Sequence, residues 1–264
     1  MQRRHLMVLA GATAVAGRGA RAQVLDLSDA INKAGRQRML SQRMAKAWLA
    51  LVHQTESINA NAQLVLERSM TLFERQHVEL KASAPTPDIL NTYSQLERVW
   101  GDYKATLVGA APHKSGAHAV LEADAKVLAL AHQGTVQYET HLNRPAGKLV
   151  NVAGRQRMLS QRMAKFYFAA TLPVDASVAK TEITQSRTEF LGAMDLLRNA
   201  PQVTERIRSE LQLADGQWFF FDQALKNMAA SGANARALSD VFVTSENLLG
   251  VMDRVTGLYA AIAT

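Results

Sequence analysis

Cysteine is absent from this 264-residue chain, which excludes disulfides and thiolate metal sites. Proline (6) and glycine (15) are scarce, and aromatic residues make up only 6%. What remains is rich in Ala, Leu, Gln, Glu, Lys, Arg and Met, the balance of an all-helical protein. No apolar run reaches the roughly 20 residues that span a bilayer. There is no G-x-S-x-G, no phosphate-binding loop and no dinucleotide fingerprint. None of the histidines is expected to pair at i, i+4 with a carboxylate on its own helix, as a zinc site of the H-E-x-x-H kind needs, and no metal is expected at His113 and His118, which flank a loop. No enzyme, cofactor or metal site is expected.

A block of consecutive basic residues is also missing. The formal charge of +7 overstates the basicity, because Arg3, Arg4, Arg18 and Arg21 all fall in the first 22 residues, which hold no acid. From Gln23 onward the charge is 7 − 4 = +3. No nucleic-acid partner is expected from so small an excess. Residues 1–22 read as a signal peptide: a basic start, the short apolar stretch "LMVLAGATAVAG", and Ala20-Arg21-Ala22 before Gln23. The expectation is an exported, periplasmic protein, carried by either the Sec or the twin-arginine route.

What is present is a phrase written twice. Residues 34–46 and 153–165 both read "AGRQRMLSQRMAK", at an offset of 153 − 34 = 119. Two repeats are expected, at 26–142 and 145–264. Each divides into four helical stretches: about 28–59, 62–83, 88–108 and 116–142, then about 146–171, 176–199, 202–230 and 235–262. The breaks are polar or contain proline and glycine, and "NRPAG" reads as the joint, with Pro145 in a first helical turn. Short connections favour up-and-down bundles. Trp100 and Trp218, 118 residues apart, are expected in the two cores.

On a helical wheel the phrase has two apolar stripes, where an outer bundle helix needs one. Leu40, Met44, Ala47 and Leu51 form one. Ile31, Ala34, Gly35, Arg38, Gln42, Ala45 and Leu49 form the other. The second copy presents Val150, Ala153, Gly154, Arg157, Gln161, Ala164 and Phe168. Arg36, Arg43 and Lys46, with Arg155, Arg162 and Lys165, fall on a flank expected to face solvent. The small-residue stripe suits a close helix–helix contact, and the obvious partner of one copy is the other. A tandem repeat then makes a twofold-like arrangement within one chain, a monomer acting as a pseudo-dimer. Arg38 and Arg157 would meet in the seam as equivalent halves of one site, and two facing guanidinium groups call for an anion between them; the alternative for each is an interhelical hydrogen bond to Gln or backbone. Ser41 and Ser160, with no histidine nearby, are expected to make local hydrogen bonds.

The segments "INKAGRQRMLSQRMAK" (31–46) and "VNVAGRQRMLSQRMAK" (150–165) resemble the signature of PilJ-type domains, the N-terminal sensor domains of type IV pili methyl-accepting chemotaxis receptors. They also resemble the first-helix motif of nitrate/nitrite-responsive histidine kinase sensors, roughly I-N-x-A-G-x-x-R-M-x-S-x-R, with Val150 in place of the isoleucine in the second copy. The resemblance implies an antiparallel four-helix bundle for each repeat, packed with pseudo-twofold symmetry. It implies an anion, nitrate or nitrite, held between two first helices by Arg38 and Arg157. Gly35 and Gly154 would allow close approach, and Asn32 and Asn151 match the asparagine that precedes them. Unlike those receptors, the chain carries no kinase or methyl-accepting region, so signalling would require a membrane kinase or receptor as partner. The alternative is a ligand-free interaction protein that docks onto such a receptor through the motif helix.

Overall fold

The computed structural model describes residues 23–231 and 234–263, with side chains described for 23–226 and 234–263. The expected signal peptide lies outside the described residues. The fold is all-α, two helical bundles in tandem. The first bundle contains α1 (Leu27–Val52), α2 (Glu56–Ala82), α3 (Pro87–Val108) and α4 (Ala117–Leu142). The second contains α5 (Pro145–Ala169), α6 (Ala176–Arg198), α7 (Glu205–Ser231) and α8 (Ala235–Ala261).

Local chemistry sets many of the boundaries. Asp26 caps α1 by accepting from the Asp29 amide, Thr86 caps α3 just before Pro87, and Asn234 caps α8. Asp175 accepts from two amides at the start of α6. At the joint, Asn143 takes a left-handed conformation (φ 48°) that ends α4, and Pro145 opens α5. One boundary departs from expectation. The first helix was expected to run to about 59, with the break inside "ESINANA". It stops at Val52, because Gln54 turns left-handed (φ 51°) and Thr55 starts α2. Polar composition alone does not break a helix, and "ESINANA" forms the first turns of α2.

In each bundle the motif helix packs on the second and fourth helices, and the third packs mainly on the fourth. Corresponding core contacts recur. Phe73 stacks on Trp100 at 4.4 Å and Phe190 on Trp218 at 4.5 Å. The Tyr138 hydroxyl donates to the Leu80 carbonyl, and the Tyr259 hydroxyl to that of Leu197. Trp100 is buried, while Trp218 is partly exposed. These pairs align the repeats at offsets of 117 on the second helix, 118 on the third and 121 on the fourth.

The bundles are joined along α1 and α5, which pack on each other extensively. Nineteen of the 26 residues of α1 and 17 of the 25 of α5 are buried, so the motif helices are the interior of the whole protein. This corrects the expected solvent-facing flank. Lys46 and Lys165 are buried, and Arg36, Arg43, Arg155 and Arg162 are each ion-paired with a neighbouring helix. A helix covered on three sides has no broad face left for charges to reach water. It also leaves little motif surface on which a docking receptor could sit.

Candidate functional site at the seam of the two motif helices

Gly35 and Gly154 face each other where α1 and α5 cross. A Cβ placed on Gly35 would lie 4.0 Å from the Gly154 Cα, 3.2 Å from Arg38 Nη2 and 3.6 Å from Arg157 Nη2. One on Gly154 would lie 3.2 Å from Arg157 Nη2 and 3.8 Å from Arg38 Nη2. Hydrogen in place of a side chain therefore leaves room for both guanidinium ends at the crossing. Arg38 and Arg157 come together there, each fully buried.

The asparagines brace the crossing from opposite repeats. Arg38 Nη2 donates to the Asn151 side-chain oxygen at 2.7 Å and to its carbonyl at 3.4 Å. Arg157 Nη2 donates to the Asn32 carbonyl at 3.0 Å. The Asn151 amide in turn donates to Glu139. Among the described residues, the Asn32 side-chain oxygen and the Nε of both arginines find no hydrogen-bond partner although buried. Ser41 and Ser160 donate to the carbonyls of Arg38 and Arg157, three residues back on their own helices.

The two arginines are not equivalent, contrary to the expected symmetric halves. Arg157 Nη1 is paired with Asp253 at 2.5 Å, and Arg36 reaches the same carboxylate oxygen at 2.9 Å. Arg38 Nη1 instead faces His132 Nδ1 at 3.3 Å. A guanidinium has only donors, so this contact requires an unprotonated Nδ1 and a neutral ring. Burial, then repulsion from Arg155 and Arg157, lowers the Arg38 pKa to about 9. Burial, then repulsion from Arg36, lowers that of Arg157 to about 10, with Asp253 opposing. Both stay charged at neutral pH. Burial and then the charges of Arg38 and Arg155 hold His132 below its ordinary value, which keeps it neutral.

Four residues that meet the motif helices, His132, Asp253, Asp124 and Glu246, lie outside both motif copies. Lys165 of the second repeat donates to Asp124 of the first at 2.6 Å, and Gln42 donates to both oxygens of the same carboxylate. Reciprocally, Lys46 of the first repeat is paired with Glu246 of the second at 2.6 Å. Burial pushes Glu246 up, but Lys46 and Arg43 outweigh it and hold its pKa at about 2. Each motif lysine thus locks onto the fourth helix of the other repeat. Outside the seam, His118 does stand four residues before a carboxylate, Glu122, but both side chains are exposed and form an ordinary surface pair.

A family model, type IV pili methyl-accepting chemotaxis transducer N-term (PilJ), matches residues 21–134 and again 138–242. The chain belongs to the PilJ family. The double match makes it a tandem PilJ protein, with one copy of the seam motif in each matched segment. No curated protein and no solved structure matches it. PilJ membership places the chain among chemotaxis-transducer sensor modules.

Proposed function

We propose that this protein is an exported, periplasmic binding module for a small planar oxyanion, with nitrate and nitrite the first candidates. The anion is held at the α1–α5 seam, and its occupancy is reported to a membrane receptor or kinase. The role is binding rather than catalysis, by a monomer whose two repeats stand in for two subunits. The observation that carries the reading is Arg38: a fully buried guanidinium beside a second one, with no carboxylate in direct contact among the described residues. Among the described residues, Arg36, Arg38, Arg155 and Arg157 face Asp253, Glu189 and, through Asn151, Glu139, an excess of one positive charge. A buried excess of that kind is relieved by an anion, and the flat fork of arginine suits a trigonal one.

The seam is also a sensible place for a signal to start. α1 and α5 each pack on two helices of their own bundle, so a small shift at the crossing is felt by both. The competing docking role needs an exposed motif helix, and α1 and α5 are buried.

Calorimetric titration of the protein with nitrate, nitrite, sulfate and chloride at fixed ionic strength tests the reading. Nitrate or nitrite should bind and sulfate should not. A charge-assisted hydrogen bond contributes roughly 1.5–3 kcal/mol net. Arg38→Ala should therefore weaken binding by about 100-fold, and Arg38→Lys should not rescue it, since an ammonium lacks the planar fork. Absence of binding by every anion would overturn the proposal.

A further inference from the structure

The two repeats surround their arginines with different chemistry. On α4 the residues Ala125, Leu128, Ala129 and His132 form one face and line a cavity of about 420 Å³ between α4, α5 and α6. With the offset of 121 for the fourth helices, the corresponding face of α8 is Glu246, Leu249, Gly250 and Asp253. There Glu246 pairs with Lys46 and Arg43, and Asp253 pairs with Arg157 and Arg36. The second repeat's fourth helix therefore brings its own carboxylates to the seam. The first repeat's fourth helix brings an alanine and a neutral histidine to the same two positions; it meets Lys165 with Asp124, one residue along, but sets no carboxylate opposite Arg38 at the place of Asp253.

The contrast continues into the bundle cores. His77 and Tyr93 lie beside each other in the first bundle, with ring centroids 5.8 Å apart. Both ring nitrogens of His77 and the Tyr93 hydroxyl are buried without hydrogen-bond partners among the described residues. The offsets of 117 and 118 put Met194 and Leu211 at those places in the second bundle, both buried and apolar. The first repeat is polar and short of acid around its arginine, whereas the second is apolar and already neutralised.

We propose that the protein has a one-sided anion site on Arg38, reached through the α4–α5–α6 cavity, with His132 as its displaceable cover. Asp253 acts as a permanent anion on Arg157, and the ligand takes the corresponding place on Arg38. The ligand class is a small monoanion with planar oxygens, an inorganic oxyanion or a short carboxylate. Arg155 and Arg162 on the cavity wall are tied to Glu189 and Glu182, so they guide an anion inward without being free to hold it. This inference rests on the anion-binding reading above and narrows it to one repeat.

The test makes the first repeat resemble the second. His132→Asp should give Arg38 its own carboxylate, leave the protein folded and weaken nitrate binding by about 100-fold or more. Lys104→Ala, at an exposed pair with Glu74 away from the seam, should leave nitrate affinity within about threefold. Ala125→Glu, which gives the cavity wall the residue found on α8, should slow nitrate association without changing the seam; it serves equally if His132→Asp does not fold. Acetate in place of nitrate separates a carboxylate ligand from an inorganic one. Full nitrate affinity in His132→Asp and an unchanged association rate in Ala125→Glu, with loss in Arg157→Ala, would overturn the one-sided site and leave a site shared across the seam. No binding of nitrate, nitrite or acetate by the unmodified protein would remove both proposals together.

Discussion

Lys165 of the second repeat and Asp124 of the first are ion-paired at 2.6 Å, and both are buried. The pair crosses the boundary between the bundles, and Gln42 completes the carboxylate's contacts. Asp124→Ala would leave a buried ammonium without its counter-charge. Breaking one side of such a pair costs about 3–5 kcal/mol. Chemical denaturation should show a loss of that size, whereas Glu122→Ala, at an exposed pair two residues away, should change stability by less than about 0.5 kcal/mol. Equal effects would mean that the buried pair does not hold the bundles together.

The two bundles should also melt as one. Their interface is the α1–α5 core with two reciprocal lysine–carboxylate locks, not a polar surface contact. Differential scanning calorimetry should give a single transition whose calorimetric and van't Hoff enthalpies agree. Two resolved transitions would show that the repeats are independent domains.

Glycines in the helices divide into two kinds. Nothing stands within 4 Å of a Cβ placed on Gly101 or Gly192, so each substitution to alanine should stabilise by about 0.5–1 kcal/mol through helix propensity alone. Gly35→Ala should do the reverse. Its methyl would press on Arg38 Nη2, which Asn151 holds in place, and moving that group costs a charge-assisted hydrogen bond of about 1.5 kcal/mol or more. Thermal melts of the three variants decide the matter, and a more stable Gly35→Ala would show that the crossing has slack.

Acid should act in two stages. His53, His77 and His132 all lie below their ordinary 6.5, chiefly through burial, so the unfolded chain binds their protons first. Stability should therefore begin to fall as pH drops below about 6.5. Glu246 and Asp253 are both held at about 2 in the folded protein, from ordinary values of 4.5 and 3.8. Their contribution is complete above those ordinary values and is lost as pH falls toward 2. Denaturation midpoints from pH 8 to pH 2 should follow this course. Glu246→Gln should flatten the lower stage while leaving the upper one unchanged.

The duplicated phrase was enough to find the seam. Gly35, Gly154 and the two arginines share a stripe by helical periodicity alone, and an apolar stripe on each side of one helix already says that it is packed on both. The charged flank was misread because Lys46 and Lys165 look like solvated residues on a wheel; only the neighbouring α8 and α4 show that they are covered. The end of α1 was misplaced because a left-handed glutamine carries no strong signal in sequence.

By itself the sequence determined the helical class, the two repeats and the meeting of Arg38 with Arg157, because periodicity and small residues specify which faces of a helix pack closely. Only the tertiary structure decided that these arginines differ. His132 lies 94 residues from Arg38, and Asp253 lies 96 from Arg157. The charge state of a buried site is set by whatever other helices bring within a few ångströms, and no pattern along α1 or α5 records what that will be.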